Sequence, residues 1–163
     1  MQGSDEDRSP AKMEILLIED NPADIVLFKQ ILQTSSVLYS LTVCVNGLDA
    51  IDRLQHQAAG QPLYRPGVVF LDLNLPGKSG AEILAEMKAD PVLAVIPVAI
   101  LTGSDHPDDR ATCASLGVDT YLNKAVALED FFVLAAKIDG FLLNLQGSTR
   151  CNPAPELAAT TAA

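Results

Sequence analysis

Short apolar runs alternate along the chain with segments in which apolar residues recur every three or four positions. Four of the five runs are apolar nearly throughout, which is typical of strands covered on both faces in a parallel sheet. The predicted strands cover residues 15–18, 41–45, 68–71, 96–101 and 120–122. Because a helical pattern follows each strand, the chain is predicted to fold as a doubly wound α/β domain.

Local signals indicate where the helices begin and end. Pro22 suits the first turn of a helix in which Ile25, Phe28 and Leu32 face inward, and Gly117 suits a helix end. The other predicted helices cover about residues 48–59, 79–89, 107–116 and 128–145. Periodicity alone does not give the order of the strands in the sheet.

The folded part is predicted to be a single domain over residues 13–146 of the 163 in the chain. A chain of this length can bury a substantial core. The polar and acidic segment 1–12 is predicted to be disordered. The segment 147–163, which is rich in Ala, Thr and Pro, is predicted to be a flexible tail.

Charge and composition exclude some classes of partner. The formal net charge of −10 at pH 7 argues against nucleic acid, because phosphate backbones are bound by basic surfaces. The N-terminal segment does not resemble a secretory signal, and no apolar run reaches the length of about 18 residues that a membrane span needs. We therefore expect a cytoplasmic protein with no membrane partner. Cys44 and Cys113 are expected to be buried thiols, whereas Cys151 lies in the tail.

Polar residues follow four of the predicted strands at the edge where the working residues of such sheets gather. They are Glu19 and Asp20 after the first strand, Asp72 after the third, Thr102 at the end of the fourth and Lys124 after the fifth. Because the carboxyl ends of parallel strands meet at one edge, we expect these side chains to converge.

Three converging carboxylates would raise their own pKa values or recruit a cation. Two such charges about 5 Å apart repel by roughly 3 kcal/mol at an effective dielectric constant of about 20. A set of hard oxygen ligands suits Mg²⁺, which commonly shares a phosphate oxygen. The alternative interpretation is a solvated loop in which Asp20 caps the following helix.

Asp72 is the candidate nucleophile of this edge. A carboxylate beside a cation can attack phosphorus and form an aspartyl phosphate. Lys124 is then a charged partner for Asp72 or its phosphate, and the Thr102 hydroxyl can bond a phosphate oxygen. Each residue also has a simpler interpretation, as a turn or cap, a surface lysine and a strand-terminal threonine respectively.

The pattern resembles the response-regulator receiver family of two-component signalling. Four pieces, in the right order and at the right spacing, carry this resemblance over about residues 13–145. They are Leu17-Ile18-Glu19-Asp20-Asn21, Leu71-Asp72-Leu73-Asn74-Leu75-Pro76 with Gly80 behind it, Leu101-Thr102-Gly103, and Tyr121-Leu122-Asn123-Lys124. The resemblance implies a flavodoxin-like (βα)5 fold with strand order 2-1-3-4-5.

The resemblance also implies roles for the acidic residues. Asp72 would accept a phosphoryl group from a histidine kinase, and Mg²⁺ would be held by Glu19, Asp20, Asp72 and the backbone carbonyl of Asn74. Such a domain is not an enzyme in the usual sense, because it catalyses only its own phosphoryl transfer and dephosphorylation.

A conformational switch is implied as well. Lys124 and Thr102 would contact the phosphate, and Tyr121 would turn inward when Thr102 moves. The alternative for Tyr121 is ordinary core packing. Asn74 and Ser104 match the family positions that tune phosphate loss by hydrolysis.

One departure from the family pattern follows Lys124. The family usually has proline there, joined by a cis bond, whereas this sequence has Ala125. A cis bond costs about 3–4 kcal/mol before a non-proline residue and about 0.5–1 kcal/mol before proline. The Lys124–Ala125 bond is therefore either trans with a rebuilt loop or cis under strain, and the reach of Lys124 depends on which.

Two segments are especially similar to the small regulators paired with bacterial phytochrome kinases, which implies light as the upstream input. They are Glu19-Asp20-Asn21-Pro22-Ala23-Asp24 and Asp72-Leu73-Asn74-Leu75-Pro76. No DNA-binding domain is expected after residue 145, so the resemblance is to a stand-alone regulator whose output is a surface contact or a phosphate relay.

The last predicted helix has more apolar residues than one face needs. One stripe that can cover the sheet comprises Leu128, Phe131, Ala135, Ile138, Leu142 and Leu145. The residues left over are Phe132, Val133, Ala136, Phe141 and Leu143. Because a helix that is apolar on most sides is usually buried on most sides, we predict a homodimer through this helix and the neighbouring fifth strand. The alternative is that the surplus covers loops of the same chain.

Three other functions fit parts of the pattern. A haloacid-dehalogenase-type phosphatase also uses an Asp nucleophile and Mg²⁺, but it needs a second Asp at the position of Asn74. A flavin-binding module needs a phosphate cradle rich in Gly, Ser and Thr after the first strand, where this chain has Glu19-Asp20-Asn21-Pro22. A degenerate receiver that is never phosphorylated is the third alternative, with Ala125 as its one supporting sign.

Overall fold

The computed structural model describes residues 11–56, 59–60, 63–103, 106–124 and 128–150. Strands and helices alternate along this part of the chain. The strands are β1 (Met13–Ile18), β2 (Tyr39–Cys44), β3 (Val68–Leu71), β4 (Val98–Thr102) and β5 (Thr120–Asn123). The helices are α1 (Pro22–Gln33), α2 (Gly47–Gln55), α3 (Gly80–Ala89), α4 (Pro107–Ser115) and α5 (Leu128–Arg150).

The strands form one parallel sheet in the order β2-β1-β3-β4-β5, which confirms the predicted fold class and strand order. The three central strands are buried along nearly their whole length, which explains why their sequences are almost continuously apolar. Ile18 pairs with Leu71, and Thr102 pairs with Asn123. The residues that follow these strands therefore leave the sheet at the same edge.

Two apolar layers cover the two faces of the sheet. One lies under α2, α3 and α4 and includes Ile51, Leu84 and Cys113. The other lies under α1 and α5 and is centred on Phe28 and Phe70, whose ring centroids are 4.8 Å apart. Removing this surface from water is the main driving force for docking the helices, and it fixes which side of each helix faces the sheet. Cys44 and Cys113 are buried and unpaired, as predicted.

Helix α5 docks on the sheet through Leu134, Ile138 and Leu142, none of which is more than 4% exposed. The predicted stripe contained the last two and missed Leu134. The interpretation of Phe141 as surplus is wrong, because its ring is half-buried and packs edge-on against Phe70 at 6.2 Å between centroids. A turn holds about 3.6 residues, so Phe141 lies on the opposite side of the helix from Phe132.

The boundaries of several elements differ from the predicted ones by a few residues. β4 begins at Val98 rather than at residue 96, because the chain first makes a turn in which Ile96 donates to the Leu93 carbonyl at 3.0 Å. α2 ends at Gln55 rather than at residue 59, because the next residue is in an extended conformation. α5 continues to Arg150, so the predicted flexible tail begins with residues that are helical.

Several predictions fall wholly or largely outside the described residues. They concern the disorder of residues 1–12, the tail after residue 150 and the exposure of Cys151. Among the residues that the structure describes, no helix is both long and apolar enough to cross a membrane.

Candidate functional site

The predicted site residues converge at the carboxyl edge of the sheet because β1 and β3 are neighbours. The Asp72 N–H donates to the Ile18 carbonyl at 3.0 Å, which places the residues after β1 directly beside Asp72. Glu19, Asp20 and Asp72 each offer one carboxylate oxygen, and these oxygens all lie within 4.8 Å of one another. The predicted convergence of acidic groups from two distant stretches of sequence is therefore present in the structure.

Glu19 is a buried carboxylate, with 1% of the residue exposed. Its Oε1 accepts the backbone N–H of Asn21 at 3.1 Å, and its Oε2 lies 2.7 Å from the Lys124 ammonium. Burial raises the pKa of Glu19 above its ordinary value, while the hydrogen bonds from Lys124 and Asn21 oppose that rise. The charged form of Glu19 therefore depends on a cationic partner.

Asp72 is also buried, with 4% of the residue exposed. Its Oδ1 accepts the backbone N–H of Asn74 at 3.2 Å, and its Oδ2 accepts from Lys124 at 3.1 Å. Behind it, Gly80 opens α3 so closely that an added Cβ would lie 2.2 Å from the Asp72 carbonyl oxygen. The Asp72 backbone is thus fixed by the sheet on one side and by α3 on the other.

Lys124 connects these carboxylates to a third one. Its backbone N–H donates to the Thr102 carbonyl at 2.8 Å, which holds it at the end of the β4–β5 ladder. Its Nζ lies 2.7 Å from Glu19, 2.8 Å from Asp24 and 3.1 Å from Asp72. Burial alone would lower the pKa of Lys124, but the hydrogen bonds to Asp24 and Glu19 outweigh it and hold the pKa well above its usual range. Lys124 therefore stays protonated.

Asp24 is the one residue of this cluster to which sequence reasoning gave no role. It lies in the first turn of α1, where Asn21 caps the helix by accepting the N–H groups of Ala23 and Asp24. The available signal was an acidic side chain one turn beyond Glu19 and Asp20, at a helix start that faces the same sheet edge. An acidic residue in a first helical turn has an ordinary explanation in the helix dipole, so this signal alone was weak.

The proposed switch residues lie beside the cluster. Thr102 is fully buried at the end of β4. Tyr121 pairs with Ile100 in the ladder, is half-buried against the layer under α2, α3 and α4, and carries the Arg110 guanidinium 4.7 Å from its ring centroid. Asn74 has an exposed side chain. Ser104 and the Lys124–Ala125 bond lie outside the described residues, so the predictions about them stay predictions.

The donor set fits a divalent metal ion. Each carboxylate oxygen has two lone pairs, so oxygens that already accept one hydrogen bond can still bind a cation. Carboxylate oxygens are hard ligands, which suit a hard divalent cation. Lys124 contacts two of these three carboxylates, those of Glu19 and Asp72. The ammonium and a bound metal ion would therefore lie side by side at this edge of the sheet.

Comparison with protein families gives a match to the response regulator receiver domain over residues 15–136. The chain belongs to this family. The match covers β1 from Ile15 onward, the other four strands and the first part of α5, and it confirms the resemblance found in the sequence. It also argues against the phosphatase and flavin-binding alternatives, because each of them would place the chain in another family.

Similar proteins of the family include another response regulator. Response regulator Rcp1 of Synechocystis sp. is 41% identical over 138 residues, which are 85% of this chain and 93% of the relative. The crystal structure of its Mn²⁺-bound form has a TM-score of 0.73 over 80% of this chain and 94% of that one.

Two further solved structures of response regulators are similar to this chain in sequence and in fold. The phosphorylated cyanobacterial phytochrome response regulator RcpA is 38% identical, with a TM-score of 0.74 over 82% of this chain and 95% of that one. The bacteriophytochrome response regulator AtBRR is 34% identical, with a TM-score of 0.65 over 80% of this chain and 94% of that one.

Proposed function

We propose that this receiver domain accepts a phosphoryl group on Asp72 from a sensor histidine kinase. The observation that carries the proposal is the buried Asp72 carboxylate, which lies within 4.8 Å of two other acidic oxygens and 3.1 Å from a protonated lysine. Mg²⁺ would be held by Glu19, Asp20, Asp72 and the backbone carbonyl of Asn74. When bound, the ion offsets the negative charge of the incoming phosphoryl group.

The transfer requires little covalent chemistry from the protein. An Asp72 carboxylate oxygen attacks phosphorus, the bond from phosphorus to the kinase histidine nitrogen breaks, and the imidazole leaves with that electron pair. Lys124 then lies beside the new phosphate as a positively charged partner. Water later attacks phosphorus and releases inorganic phosphate, at a rate that Asn74 and Ser104 are proposed to tune. The domain acts on itself once per phosphoryl group and does not turn over an external substrate.

The test of this proposal is intact-mass spectrometry after incubation with acetyl phosphate and Mg²⁺. We expect a gain of about 80 Da, the mass of one phosphoryl group on a carboxylate, and no gain in Asp72→Asn. Asp52→Asn is the control, because Asp52 is an exposed carboxylate on α2 that pairs with His56. Absence of a gain in the unmodified chain, with acetyl phosphate and with a kinase, would establish the degenerate receiver instead.

Removal of the metal ion tests the acidic cluster separately. We expect EDTA to abolish the mass gain and added Mg²⁺ to restore it. Asp20→Asn should raise the Mg²⁺ concentration needed for half-maximal phosphorylation, because one of the three converging carboxylates is lost. Equal Mg²⁺ dependence in Asp20→Asn and the unmodified chain would exclude Asp20 as a ligand.

The proposed response to phosphorylation is a rearrangement of Thr102 and Tyr121. Phosphorylation adds about −1.5 to −2 charges, so the Thr102 hydroxyl is expected to turn toward the phosphate. Tyr121 would then move into the vacated space, away from the Arg110 guanidinium that now lies over its ring. Crystal structures with and without beryllofluoride that superimpose at both residues would refute this switch.

A phytochrome histidine kinase is the proposed upstream partner, and a cytoplasmic location is part of the same proposal. The support is the similarity to Rcp1, RcpA and AtBRR, two of which are described as phytochrome regulators. Phosphotransfer from a panel of autophosphorylated histidine kinases tests it. A clear kinetic preference for kinases without a phytochrome light-sensing module would contradict it.

A homodimer through α5 and β5 is the proposed form of the output surface. Phe132, Val133 and Leu143 are 66%, 55% and 44% exposed, and Ala136 is exposed beside them. Leu143 lies about three helical turns after Phe132, so the two side chains point to the same side of α5. Phe141 is not part of this surface, because it packs against Phe70.

A further inference from the structure

The Lys124 ammonium has as many carboxylate partners as it has protons to donate. An ammonium has three N–H donors, and here they face Glu19 at 2.7 Å, Asp24 at 2.8 Å and Asp72 at 3.1 Å. The contact of the ammonium with Asp24 is shorter than its contact with Asp72, the proposed phosphoryl acceptor. Asp24 is thus a principal partner of the lysine rather than a distant neighbour.

The three carboxylates differ in what else they can bind. Glu19 and Asp72 belong to the set of oxygens that can hold a metal ion, whereas Asp24 does not. The Asp24 side chain is 29% exposed, against 2% for Glu19 and 5% for Asp72. A metal ion would therefore compete with Lys124 for two of its three partners and leave the third one in place.

Asp24 is also held firmly by its own helix. The Asn21 side chain accepts the N–H groups of Ala23 at 2.9 Å and Asp24 at 3.4 Å. Pro22 restricts the backbone between Asn21 and Ala23. The Ile25 N–H donates to the Asn21 carbonyl at 3.0 Å. Lys124 is the residue after the end of β5, and its backbone N–H donates to the Thr102 carbonyl at 2.8 Å. The backbones of both partners of this ion pair are therefore held by hydrogen bonds.

We propose that Asp24 is a positioning residue that holds the Lys124 ammonium beside Asp72 while the metal ion and the phosphoryl group occupy the other carboxylates. The proposal rests on phosphoryl acceptance by Asp72 and deepens it. Without Asp24, Lys124 would bond more closely to Glu19 and Asp72 before metal binding and would have no fixed partner afterwards. Loss of Asp24 should therefore weaken metal binding and slow phosphoryl transfer, both through Lys124.

A double-mutant cycle separates this role from a simple effect of charge. The variants are Asp24→Asn, Asp24→Glu, Lys124→Met and the double variant Asp24→Asn/Lys124→Met, with Asp52→Asn as the control for loss of an exposed carboxylate on another helix. Two quantities are measured for each: the rate constant of phosphorylation by acetyl phosphate with Mg²⁺, and the dissociation constant of Mn²⁺ by electron paramagnetic resonance. Circular dichroism melting checks that each variant is folded.

We expect Asp24→Asn to slow phosphorylation about tenfold, the effect of losing one hydrogen bond between charged groups, and Asp24→Glu to recover most of the rate. The Mn²⁺ dissociation constant should rise severalfold in Asp24→Asn. In the Lys124→Met background, Asp24→Asn should change both quantities by less than about twofold, because variants that act through one contact are not additive.

The opposite outcomes are distinct. Equal effects of Asp24→Asn in both backgrounds would show that the Asp24 charge acts directly on the metal ion, and no effect in either would show that it has only a structural role. Either result overturns the positioning role. If the unmodified chain gains no phosphoryl group, the proposed function fails, and the Mn²⁺ cycle alone decides whether Asp24 positions Lys124.

Discussion

At the scale of single residues, Asp139 is a carboxylate whose charge is used for structure rather than for chemistry. It accepts the Ser35 hydroxyl at 2.7 Å, the Ser36 N–H at 2.9 Å and the Ser36 hydroxyl at 3.0 Å. These bonds join the segment after α1 to the middle of α5. They also hold the pKa of Asp139 below its ordinary value, with the hydrogen bond from Ser35 as the largest cause.

This shift predicts a stability that depends on pH on the acid side. Because the pKa of Asp139 is lower in the folded state than in the unfolded chain, its contribution is complete above the unfolded pKa of about 4 and is lost as the pH falls through the folded pKa. We expect Asp139→Asn to lower the free energy of unfolding by about 1 kcal/mol at pH 7, a figure reduced for solvent screening.

Urea unfolding at pH 7 and at pH values below about 4 measures this contribution. The difference between the unmodified chain and Asp139→Asn should shrink as the pH falls. Glu14→Gln, which removes an exposed carboxylate from β1, is the matched control. A difference that stays constant with pH would mean that the Asp139 charge contributes nothing.

The residue scale also shows what the sequence could and could not predict about the site. Glu19, Asp20 and Asp72 follow strands, so their place at one edge of the sheet was predictable from chain direction. Their close approach also requires β1 and β3 to be neighbours, an order that only the family resemblance implied. The contact of Asp24 with Lys124 depends on the rotation of α1 about its axis. That rotation is set by the burial of residues further along the helix, which are Phe28, Ile31 and Leu32.

At the scale of secondary-structure elements, the start of α3 is packed directly against the segment just after β3, which carries the phosphoryl acceptor Asp72. A Cβ on Gly80 would lie 2.2 Å from the Asp72 carbonyl oxygen and 2.7 Å from the Leu73 Cα. Both atoms belong to the backbone and cannot turn away as a side chain can. The close approach of α3 to β3 therefore requires glycine at this position.

Substitution of Gly80 is expected to affect both stability and phosphorylation. Gly80→Ala should lower the free energy of unfolding by about 1–3 kcal/mol, the usual cost of overpacking, and should slow the mass gain with acetyl phosphate because Asp72 must shift. The control is Gly140→Ala in α5, where an added Cβ meets nothing within 4 Å. That variant should gain about 0.5–1 kcal/mol from helix propensity.

Urea unfolding compares the two glycine variants in one experiment. If Gly80→Ala were as stable as the unmodified chain and phosphorylated at the same rate, α3 would have room to move away from β3. Gly80 would then have no part in fixing the acceptor.

Phenylalanines on the two faces of α5 are expected to differ in their contribution to stability. Phe141→Ala should lower the free energy of unfolding by about 2 kcal/mol, below the range of about 3–5 kcal/mol for a fully buried phenylalanine, because Phe141 is half-buried. Phe132→Ala should change the stability of the monomer by less than about 0.5 kcal/mol, because Phe132 is 66% exposed. Equal losses would contradict the assignment of the faces. Thermal or urea unfolding at a low protein concentration measures both.

The sequence predicted α5 but not which of its apolar residues face the sheet. Apolar residues occur on most sides of the helix between Phe131 and Leu145. The sequence pattern therefore does not indicate one apolar face that must lie against the sheet. In the structure Leu134 is buried and Phe141 packs against Phe70, whereas Phe132 is exposed. This distribution depends on how α5 docks on the packed sheet and not on the helix sequence alone.

At the scale of the whole molecule, the exposed side of α5 predicts self-association. The unmodified chain is expected to elute at twice its monomer mass in size-exclusion chromatography with light scattering at micromolar concentration. Phe132→Ser/Leu143→Ser should shift it to the monomer, because the two apolar side chains lie on the same side of the helix. Val95→Ser is the control, since Val95 is 79% exposed but lies between α3 and β4.

A strict monomer in the unmodified chain, with and without beryllofluoride, would refute the dimer. The surplus apolar residues of α5 would then have to be explained within the same chain. A dimer that persists in Phe132→Ser/Leu143→Ser but not in Val95→Ser would instead move the interface to another surface.

The topology of the whole sheet was predictable only through family resemblance. Alternation of strands and helices indicates a doubly wound α/β domain, but several strand orders have the same alternation. In the structure, the residues of the edge strands β2 and β5 are less buried than those of the central strands. This difference becomes visible only once the fold is known. The motifs around Glu19, Asp72, Thr102 and Lys124 supplied the order 2-1-3-4-5, which the structure confirms.

Helix α1 is attached at both of its ends to other parts of the molecule. Asp24 in its first turn is bonded to Lys124, and Ser35 and Ser36 just beyond its last turn are bonded to Asp139 in α5. A helix tied at both ends tends to move as a rigid body rather than to unwind from one terminus. A small tilt produced at the acidic edge would therefore be carried along its length of about 18 Å, at about 1.5 Å per residue, to α5, which bears the exposed apolar side chains of Phe132 and Leu143.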